Sequence, residues 1–220
     1  MEKPPHQRPE LAEFWDSRFQ SGCMPWQDGR MHPELSRFLP TLPGCLGHTG
    51  TTPNAPLHGL RVLIPGCGHA FEAGCFAALG AHVVALDFSA AAVAAAREVL
   101  TDWKGELVHG DFFTYAPNEG FDLIFERAFL CALPRHLWPD YARQTARLLK
   151  PGGIVAGFFF YGEEGKGPPF AAAPETLTQL LGAYFTRIDD QAVANPLPLF
   201  PGERWQVWQR GKTELAARLE

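Results

Sequence analysis

A glycine-rich turn and a carboxylate about twenty residues further along are the features of this sequence best suited to chemistry. An apolar run at 62–64 ends in Pro65-Gly66-Cys67-Gly68, and a second apolar run, 83–86, ends on Asp87. Glycines at a strand end let a ligand approach the backbone, because neither carries a Cβ. A carboxylate at the tip of the next strand can accept hydrogen bonds from both ribose hydroxyls. Glycine pairs also serve as simple turns, but together with the carboxylate they predict a nucleoside site.

The residue three positions after Gly68 indicates which kind of nucleotide the turn could bind. Dinucleotide-binding proteins place a third glycine where the helix packs against a pyrophosphate, and Phe71 stands at that position here. The run Ile64–Ala70 instead fits the glycine pattern of S-adenosylmethionine enzymes, with Ala70 where a glycine is frequent. A ligand without a pyrophosphate tolerates that change. We therefore expect S-adenosylmethionine as the cofactor and S-adenosylhomocysteine as its product.

Polar and aromatic residues also follow the next two predicted strands. The carboxyl ends of parallel strands lie side by side along one crevice, so these residues should face the same ligand. We expect Asp111 to accept from the adenine amino group, with Phe112 near the ring and Phe88 also contacting the cofactor. Glu126 and Arg127 should face the methionine portion and the second substrate. Arg127 either attracts an anionic methyl acceptor or forms an ion pair with Glu126.

The N-terminal helix, predicted to begin at Glu10, carries an aromatic face. Trp15 and Phe19 recur at helical spacing, and Trp26 follows shortly after the helix. Aromatic faces attract cations such as a sulfonium, at about 0.5–2 kcal/mol each. These three residues are therefore candidates for a lid that folds over the crevice, and the alternative is ordinary core packing.

Apolar runs that alternate with helical stretches indicate an α/β fold. We predict a Rossmann-like, seven-stranded, mostly parallel sheet with one antiparallel strand, helices on both faces and an N-terminal helical cap. Residues 1–9 should be a disordered tail, 10–59 the cap and a linker, and 60–220 the cofactor-binding part of a single domain. The linker, 40–59, is rich in Pro, Gly and Thr and is expected to be a loop. The predicted strands are 62–64, 83–86, 106–109, 121–125, 154–160, 184–190 and 203–210.

The composition and the charge argue against several classes of function. The chain has 220 residues, 46% hydrophobic and 20% charged, with a formal net charge of −5, which argues against broad nucleic-acid binding. We expect no membrane partner, because the apolar stretch 154–161 is too short to span a bilayer. The five cysteines form no CxxC pair and the histidines show no metal-ligand spacing, so we expect reduced thiols, a cytoplasmic protein and no metal site. We also expect a monomer.

Taken together, these residues resemble the thiopurine and thiocyanate/halide/thiol S-methyltransferase superfamily, within the class I methyltransferases that use S-adenosylmethionine. The resemblance extends from about Phe14 to Arg210. The glycine turn and the Lys-Pro-Gly-Gly turn are generic, whereas the N-terminal Trp pattern and the Gly-Pro-Pro loop are specific. The matching segments are Phe14-Trp15, Pro25-Trp26-Gln27-Asp28-Gly29-Arg30, Pro65-Gly66-Cys67-Gly68, Gly110-Asp111-Phe112-Phe113, Phe129-Leu130-Cys131-Ala132-Leu133, Lys150-Pro151-Gly152-Gly153, Gly167-Pro168-Pro169-Phe170 and Pro201-Gly202-Glu203.

This resemblance implies a set of cofactor-contacting positions. Phe19 stands where the thiocyanate/halide branch usually has Trp, and Glu126 where Asp is frequent. The Trp pattern leans toward the thiol and halide side, whereas Glu126-Arg127-Ala128 is similar to thiopurine enzymes, in which the Arg lies by cofactor and substrate. The cofactor-binding set is Trp15, Phe19, Trp26, Gly66, Gly68, Asp87, Phe88, Asp111, Phe112 and Glu126, with Arg127 positioning the acceptor.

The function that follows is methyl transfer to a small soft nucleophile: a thiol, thiopurine, thiocyanate or halide. Such nucleophiles are ionised or nearly so, hence in-line displacement requires no strong general base. Tyr161 and 158–160 are candidates for the acceptor pocket or for the core, and Cys131 is expected to pack rather than react. The alternatives are an oxygen, nitrogen or metalloid acceptor, and a non-catalytic S-adenosylmethionine-binding protein. A nucleotide-dependent oxidoreductase is a third, which Phe71 disfavours.

Overall fold

Seven strands form one mixed sheet in the computed structural model, which describes residues 4–27, 29–48, 55–163 and 165–212. The strand order across the sheet is β3-β2-β1-β4-β5-β7-β6. Strands β1 to β5 pair in parallel, and β7 runs antiparallel to both of its neighbours. The strands are β1 (Arg61–Pro65), β2 (His82–Asp87), β3 (Glu106–His109), β4 (Phe121–Arg127), β5 (Leu149–Phe160), β6 (Phe185–Ala192) and β7 (Glu203–Arg210).

This arrangement confirms the predicted fold, one antiparallel strand included. The central strands are apolar over most of their length because helices cover both faces of the sheet. Large apolar groups of buried side chains lie on each face, one including Phe76 and Phe125, the other Tyr141 and Phe159. The helices are α1 (Ala12–Ser21), α2 (Leu35–Phe38), α3 (Leu42–Cys45), α4 (Phe71–Ala78), α5 (Ala90–Val99), α6 (Trp138–Leu148) and α7 (Pro174–Gly182).

The parallel register places the chemistry predicted from the sequence at one end of the sheet. Crossing from β1 to β2 by α4 puts the glycine turn beside Asp87, since both follow the carboxyl ends of adjacent parallel strands. Ser89 caps α5 as predicted, with its hydroxyl accepting from the Ala92 N–H at 3.1 Å.

Two N-terminal segments differ from expectation. Within 40–59, predicted to be a loop, α3 forms and both Leu42 and Leu57 are fully buried in the core. Those leucines lack a helical or strand period, so their burial depends on tertiary contacts rather than on local pattern. Residues 5–7, expected to be disordered, form a 3-10 turn, while 1–3 lie outside the described residues, as does Asp28 of the Trp pattern.

The strand that ends at Arg127 is held by unusually close backbone packing. Gly157 of β5 pairs with Glu126 of β4, and a Cβ at Gly157 would overlap the Glu126 backbone carbonyl. A side chain there would push β4 away from β5 and displace the turn that follows Arg127.

Gly157→Ala is therefore expected to lower the free energy of unfolding by about 1–3 kcal/mol, because overpacking at this contact has no flexible neighbour to yield. Urea denaturation followed by circular dichroism measures the change. Gly182→Ala, at the end of α7, is the matched control: a Cβ there meets nothing within 4 Å. Equal stability of both variants would contradict the close approach of β4 and β5.

Candidate active site

A cavity of about 280 Å³ opens at the carboxyl ends of β1, β2 and β4. It lies between the sheet and α1, so the N-terminal cap forms one of its walls. All the predicted site residues except Glu126 line it. They are Trp15, Phe19, Trp26, Gly66, Gly68, Asp87, Phe88, Asp111, Phe112 and Arg127.

The glycine turn has a conformation and a surrounding that only glycine fits. Gly66 has φ +57°, which L residues with a side chain rarely adopt, and a Cβ on it would overlap the ring of Phe129. Gly68 also has positive φ, and its missing Cβ would lie 3.5 Å from Phe19 of α1. The turn thus lets the ring of Phe129 approach the backbone at Gly66, and the ring of Phe19 packs beside Gly68.

Two backbone N–H groups hold the carboxylate of Asp87 in the cavity wall. The Gly68 N–H donates to its Oδ2 and the Ser89 N–H to its Oδ1, each at 3.0 Å. Burial raises the pKa of Asp87 from 3.8 to about 6, even though these hydrogen bonds favour the ionised form. Each carboxylate oxygen retains a lone pair for a further donor.

Aromatic side chains stand on two walls. On the cap, Trp15 and Trp26 meet edge to face with centroids 5.4 Å apart. On the sheet side, Phe112 and Phe129 do the same at 5.1 Å. Gln144 of α6 holds the loop that carries Phe112, because its amide donates to the Phe112 carbonyl at 2.8 Å.

Glu126 is the site prediction that the structure places elsewhere. Its side chain is 1% exposed, and Oε1 accepts from the N–H groups of Phe129 and Leu130 while Oε2 accepts from the Tyr141 hydroxyl. Burial raises the pKa of Glu126 from 4.5 to about 7. The carboxylate therefore holds the turn after β4 and does not line the cavity.

Arg127, the next residue, does line the cavity, but its ion-pair partner is not Glu126. Its Nη1 bonds to Oε1 of Glu72 in α4, an oxygen that also accepts from the His32 N–H at 3.2 Å. Nη2 is buried and finds no hydrogen-bond acceptor within the described residues. The guanidinium is thus fixed by Glu72, and one of its nitrogens is buried without an acceptor in the part of the chain that the structure describes.

Several residues that line the cavity are not among those predicted from the sequence. Arg18 and Cys23 of the cap line it, as do Leu199 and Phe200, which come from the connection between β6 and β7. The family-like segment Pro201-Gly202-Glu203 follows these two residues directly, but no expected site residue was placed in that connection. The remaining lining residues are Pro25, Leu86, Gly110, Phe113, Ala128, Phe129, Cys131, Ala132, Leu133, Pro168 and Pro169, several of them within the family-like segments.

The thiol of Cys131 and the aromatic residues 158–161 have different positions relative to the cavity. Cys131 lines the cavity, and burial raises the pKa of its thiol well above the ordinary value, which disfavours the reactive thiolate. Tyr161 and 158–160 do not line the cavity; the Tyr161 hydroxyl donates to Gln206 Oε1 at 3.0 Å, and Phe158 and Phe159 are buried in the core.

The described residues hold neither a metal-binding cluster nor a membrane-spanning helix. No group of His, Cys, Asp or Glu side chains has an arrangement that could hold a metal ion. None of the helices there has the length and apolar character needed to cross a membrane.

Comparison with known proteins identifies the family. The family model described as thiopurine S-methyltransferase matches residues 11–198. The chain belongs to the thiopurine S-methyltransferase family. It is thus an S-adenosylmethionine-dependent methyltransferase, as the resemblance predicted. The match covers the cap and six of the seven strands, and ends before β7.

The chain is also similar to curated methyltransferases, and a solved structure shares its fold. "Probable thiol methyltransferase 2" of Arabidopsis thaliana is 31% identical over 76% of this chain and 70% of its own length. "Thiopurine S-methyltransferase" of Vibrio vulnificus is 29% identical over 80% and 84%. The fold is similar to that of the 1,6-didemethyltoxoflavin-N1-methyltransferase of Burkholderia thailandensis, with TM-score 0.71, 18% identity and coverage of 96% and 92%.

The buried carboxyl of Glu126 predicts a pH-dependent stability. Because its pKa is raised to about 7, the folded state holds the proton more tightly than the unfolded chain, and stability falls as the pH rises from about 4.5 to 7. Glu126→Gln keeps an acceptor for both N–H groups and removes this titration. We expect its free energy of unfolding, relative to wild type, to rise between pH 5 and pH 8 by up to roughly 3 kcal/mol.

Urea denaturation at both pH values measures this difference. Glu98→Gln is the control, since Glu98 is exposed on α5 and its replacement should leave the pH dependence unchanged. A Glu126→Gln profile parallel to wild type would show that Glu126 titrates normally.

Proposed function

We propose that this cavity binds S-adenosylmethionine and that the protein transfers its methyl group to a small soft nucleophile: a thiol, thiopurine, thiocyanate or halide. One observation carries the proposal. A fixed carboxylate, two aromatic walls and a cationic donor converge on the same apolar cavity at the carboxyl ends of the strands. Each of the three matches one chemical part of the reaction.

The adenosine end is the region of Asp87. Its carboxylate is oriented by two backbone N–H groups and has lone pairs left for both ribose hydroxyls. The exposed Asp111 and the buried Phe112, on the neighbouring strand end, suit the adenine amino group and ring. Phe71, stacked on His69 at 5.3 Å at the start of α4, fills the place where a dinucleotide would need glycine.

S-Adenosylmethionine supplies a methyl carbon on a sulfonium cation. The aromatic rings of Trp15, Trp26 and Phe129 surround the cavity and would stabilise that cation. With a cofactor bound, the cap would also exclude water, which strengthens electrostatic interactions inside the cavity.

The acceptor side is the region of Arg127, with apolar walls from Leu133, Pro169 and Phe200. A soft anion there would lose water to the apolar walls and be attracted by the guanidinium of Arg127, which lines the cavity. Glu72 neutralises the arginine, so the site offers a fixed donor rather than a strong net charge. Relatives named for thiol, thiocyanate and thiopurine methylation support a sulfur acceptor.

The reaction needs little from the protein beyond positioning. The acceptor's lone pair forms the new bond to the methyl carbon while the electrons of the breaking carbon–sulfur bond return to the sulfonium sulfur. A thiol acceptor loses its proton to solvent, and an anionic acceptor has none to lose. Alignment of two bound reactants is worth up to about 7–11 kcal/mol, which accounts for most of the acceleration we expect.

Binding of S-adenosylhomocysteine tests the cofactor site first. We expect micromolar or tighter binding to wild type in calorimetric titration, and a loss of about 10–100-fold or more in Asp87→Ala, because charged hydrogen bonds are worth ~1.5–3 kcal/mol. Affinity of wild type should fall as the pH drops below about 6, where Asp87 takes up a proton.

Asp102→Ala is the matched control, since Asp102 is an exposed aspartate outside the cavity. Wild type that binds no S-adenosylhomocysteine would overturn the proposed site. Unchanged binding in Asp87→Ala would remove Asp87 from it.

Arg127 is expected to act on the acceptor. In Arg127→Met, KM for thiocyanate and iodide should rise about tenfold or more with S-adenosylhomocysteine affinity within about threefold of wild type, since loss of one charged hydrogen bond costs ~1.5–3 kcal/mol. Steady-state assays with thiols, thiocyanate, iodide and thiopurines measure this. Arg143→Met, an exposed arginine of α6, is the control. Turnover with oxygen or nitrogen acceptors alone would contradict the soft-nucleophile assignment.

A further inference from the structure

Asp16 occupies an unusual place on the cap helix. It lies on α1 between Trp15 and Phe19, two residues that line the cavity, yet it is not itself a lining residue. Its Oδ1 instead accepts two hydrogen bonds from the start of α5, from the Ser89 hydroxyl at 2.6 Å and from the Ala91 N–H at 3.0 Å. The two bonds join residues that lie 73 and 75 positions apart in the chain.

The contact is chemically favourable at this end of α5. The first N–H groups of a helix have no partners within the helix, and its N-terminus carries partial positive charge. The Ser89 hydroxyl already accepts from Ala92 N–H, and its proton is used by Asp16. Together the serine and the aspartate satisfy two backbone N–H groups, of Ala92 and Ala91, at this N-terminus.

Ser89 also joins this contact to the ribose carboxylate. Its backbone N–H donates to Asp87, which in turn accepts from Gly68 of the glycine turn. A continuous set of hydrogen bonds therefore extends from the cap helix through Ser89 and Asp87 to the turn. The same helix meets the turn again where Phe19 packs beside Gly68 and His69.

We propose that Asp16 is a positioning residue for cofactor binding: by docking α1 on the N-terminus of α5, it holds Trp15 and Phe19 at the cavity wall. The inference rests on the proposed function, because it takes the cavity to be the S-adenosylmethionine site. It predicts that cofactor affinity depends on a residue that contacts no cofactor atom.

The test compares S-adenosylhomocysteine affinity of three variants by calorimetry. Asp16→Ala should weaken binding about tenfold, since α1 loses the oxygen that docks it on the N-terminus of α5. Asp16→Asn keeps the accepting Oδ1 and should stay within about threefold of wild type. Glu13→Gln, an exposed acid on the same helix, should bind as wild type does.

A second measurement separates positioning from a general loss of stability. In a Phe19→Ala background, Asp16→Ala should weaken binding by clearly less than in wild type, because part of what it positions is gone. In hydrogen exchange of the S-adenosylhomocysteine complexes, Asp16→Ala should speed exchange of the α1 amides, while Asp16→Asn should not.

The outcomes distinguish the two proposals. Wild type without measurable binding overturns the proposed function. Wild type that binds, together with an Asp16→Ala variant of equal affinity, overturns only the role of Asp16. The same fold loss from Asp16→Ala in both backgrounds would also overturn it, since the aspartate would then act independently of Phe19.

Discussion

The buried carboxylate of Asp87 is the constraint on which the arrangement of the site depends. Taking it out of water is costly, as its raised pKa shows, and the cost is offset by N–H groups from the glycine turn and from the start of α5. Both segments must therefore lie within hydrogen-bond distance of one side chain. The turn after β1 and the turn after β2 are locked together at the edge of the sheet where open α/β folds bind ligands.

A second buried carboxylate organises the next strand end. Successive residues of a strand face opposite sides of the sheet, so Glu126 and Arg127 cannot both enter one cavity. Glu126 faces α6, where Tyr141 donates to it, and it accepts from the N–H groups of the turn that carries Phe129. Arg127 lies on the cavity side, where Glu72 fixes it. Glu126 thus fixes the backbone of this turn and Glu72 orients Arg127, and neither carboxylate needs to contact a ligand.

The cap completes the site through contacts that no local pattern reveals. Its aromatic residues were recognisable from helical spacing, and they line the cavity. How the cap is attached was not recognisable: Asp16 reaches α5, while Leu42 and Leu57, in a segment expected to be a loop, are buried in the main core. The wall that the cap contributes to the cavity therefore has a recognisable aromatic pattern, whereas the contacts that attach the cap to the sheet have none.

The sequence by itself determined the succession of strands and helices along the chain, the glycine turn, the carboxylate at the end of β2 and the family, because periodicity, strand ends and short motifs are local properties that folding preserves. Only the tertiary structure decided which charged groups pair. The Arg127 and Glu72 pair spans 55 positions, and Leu199 and Phe200 reach the cavity from the connection before the last strand. Such pairs depend on how helices pack on the two faces of the sheet, and burial then selects the partner, since an ionised group removed from water needs one nearby.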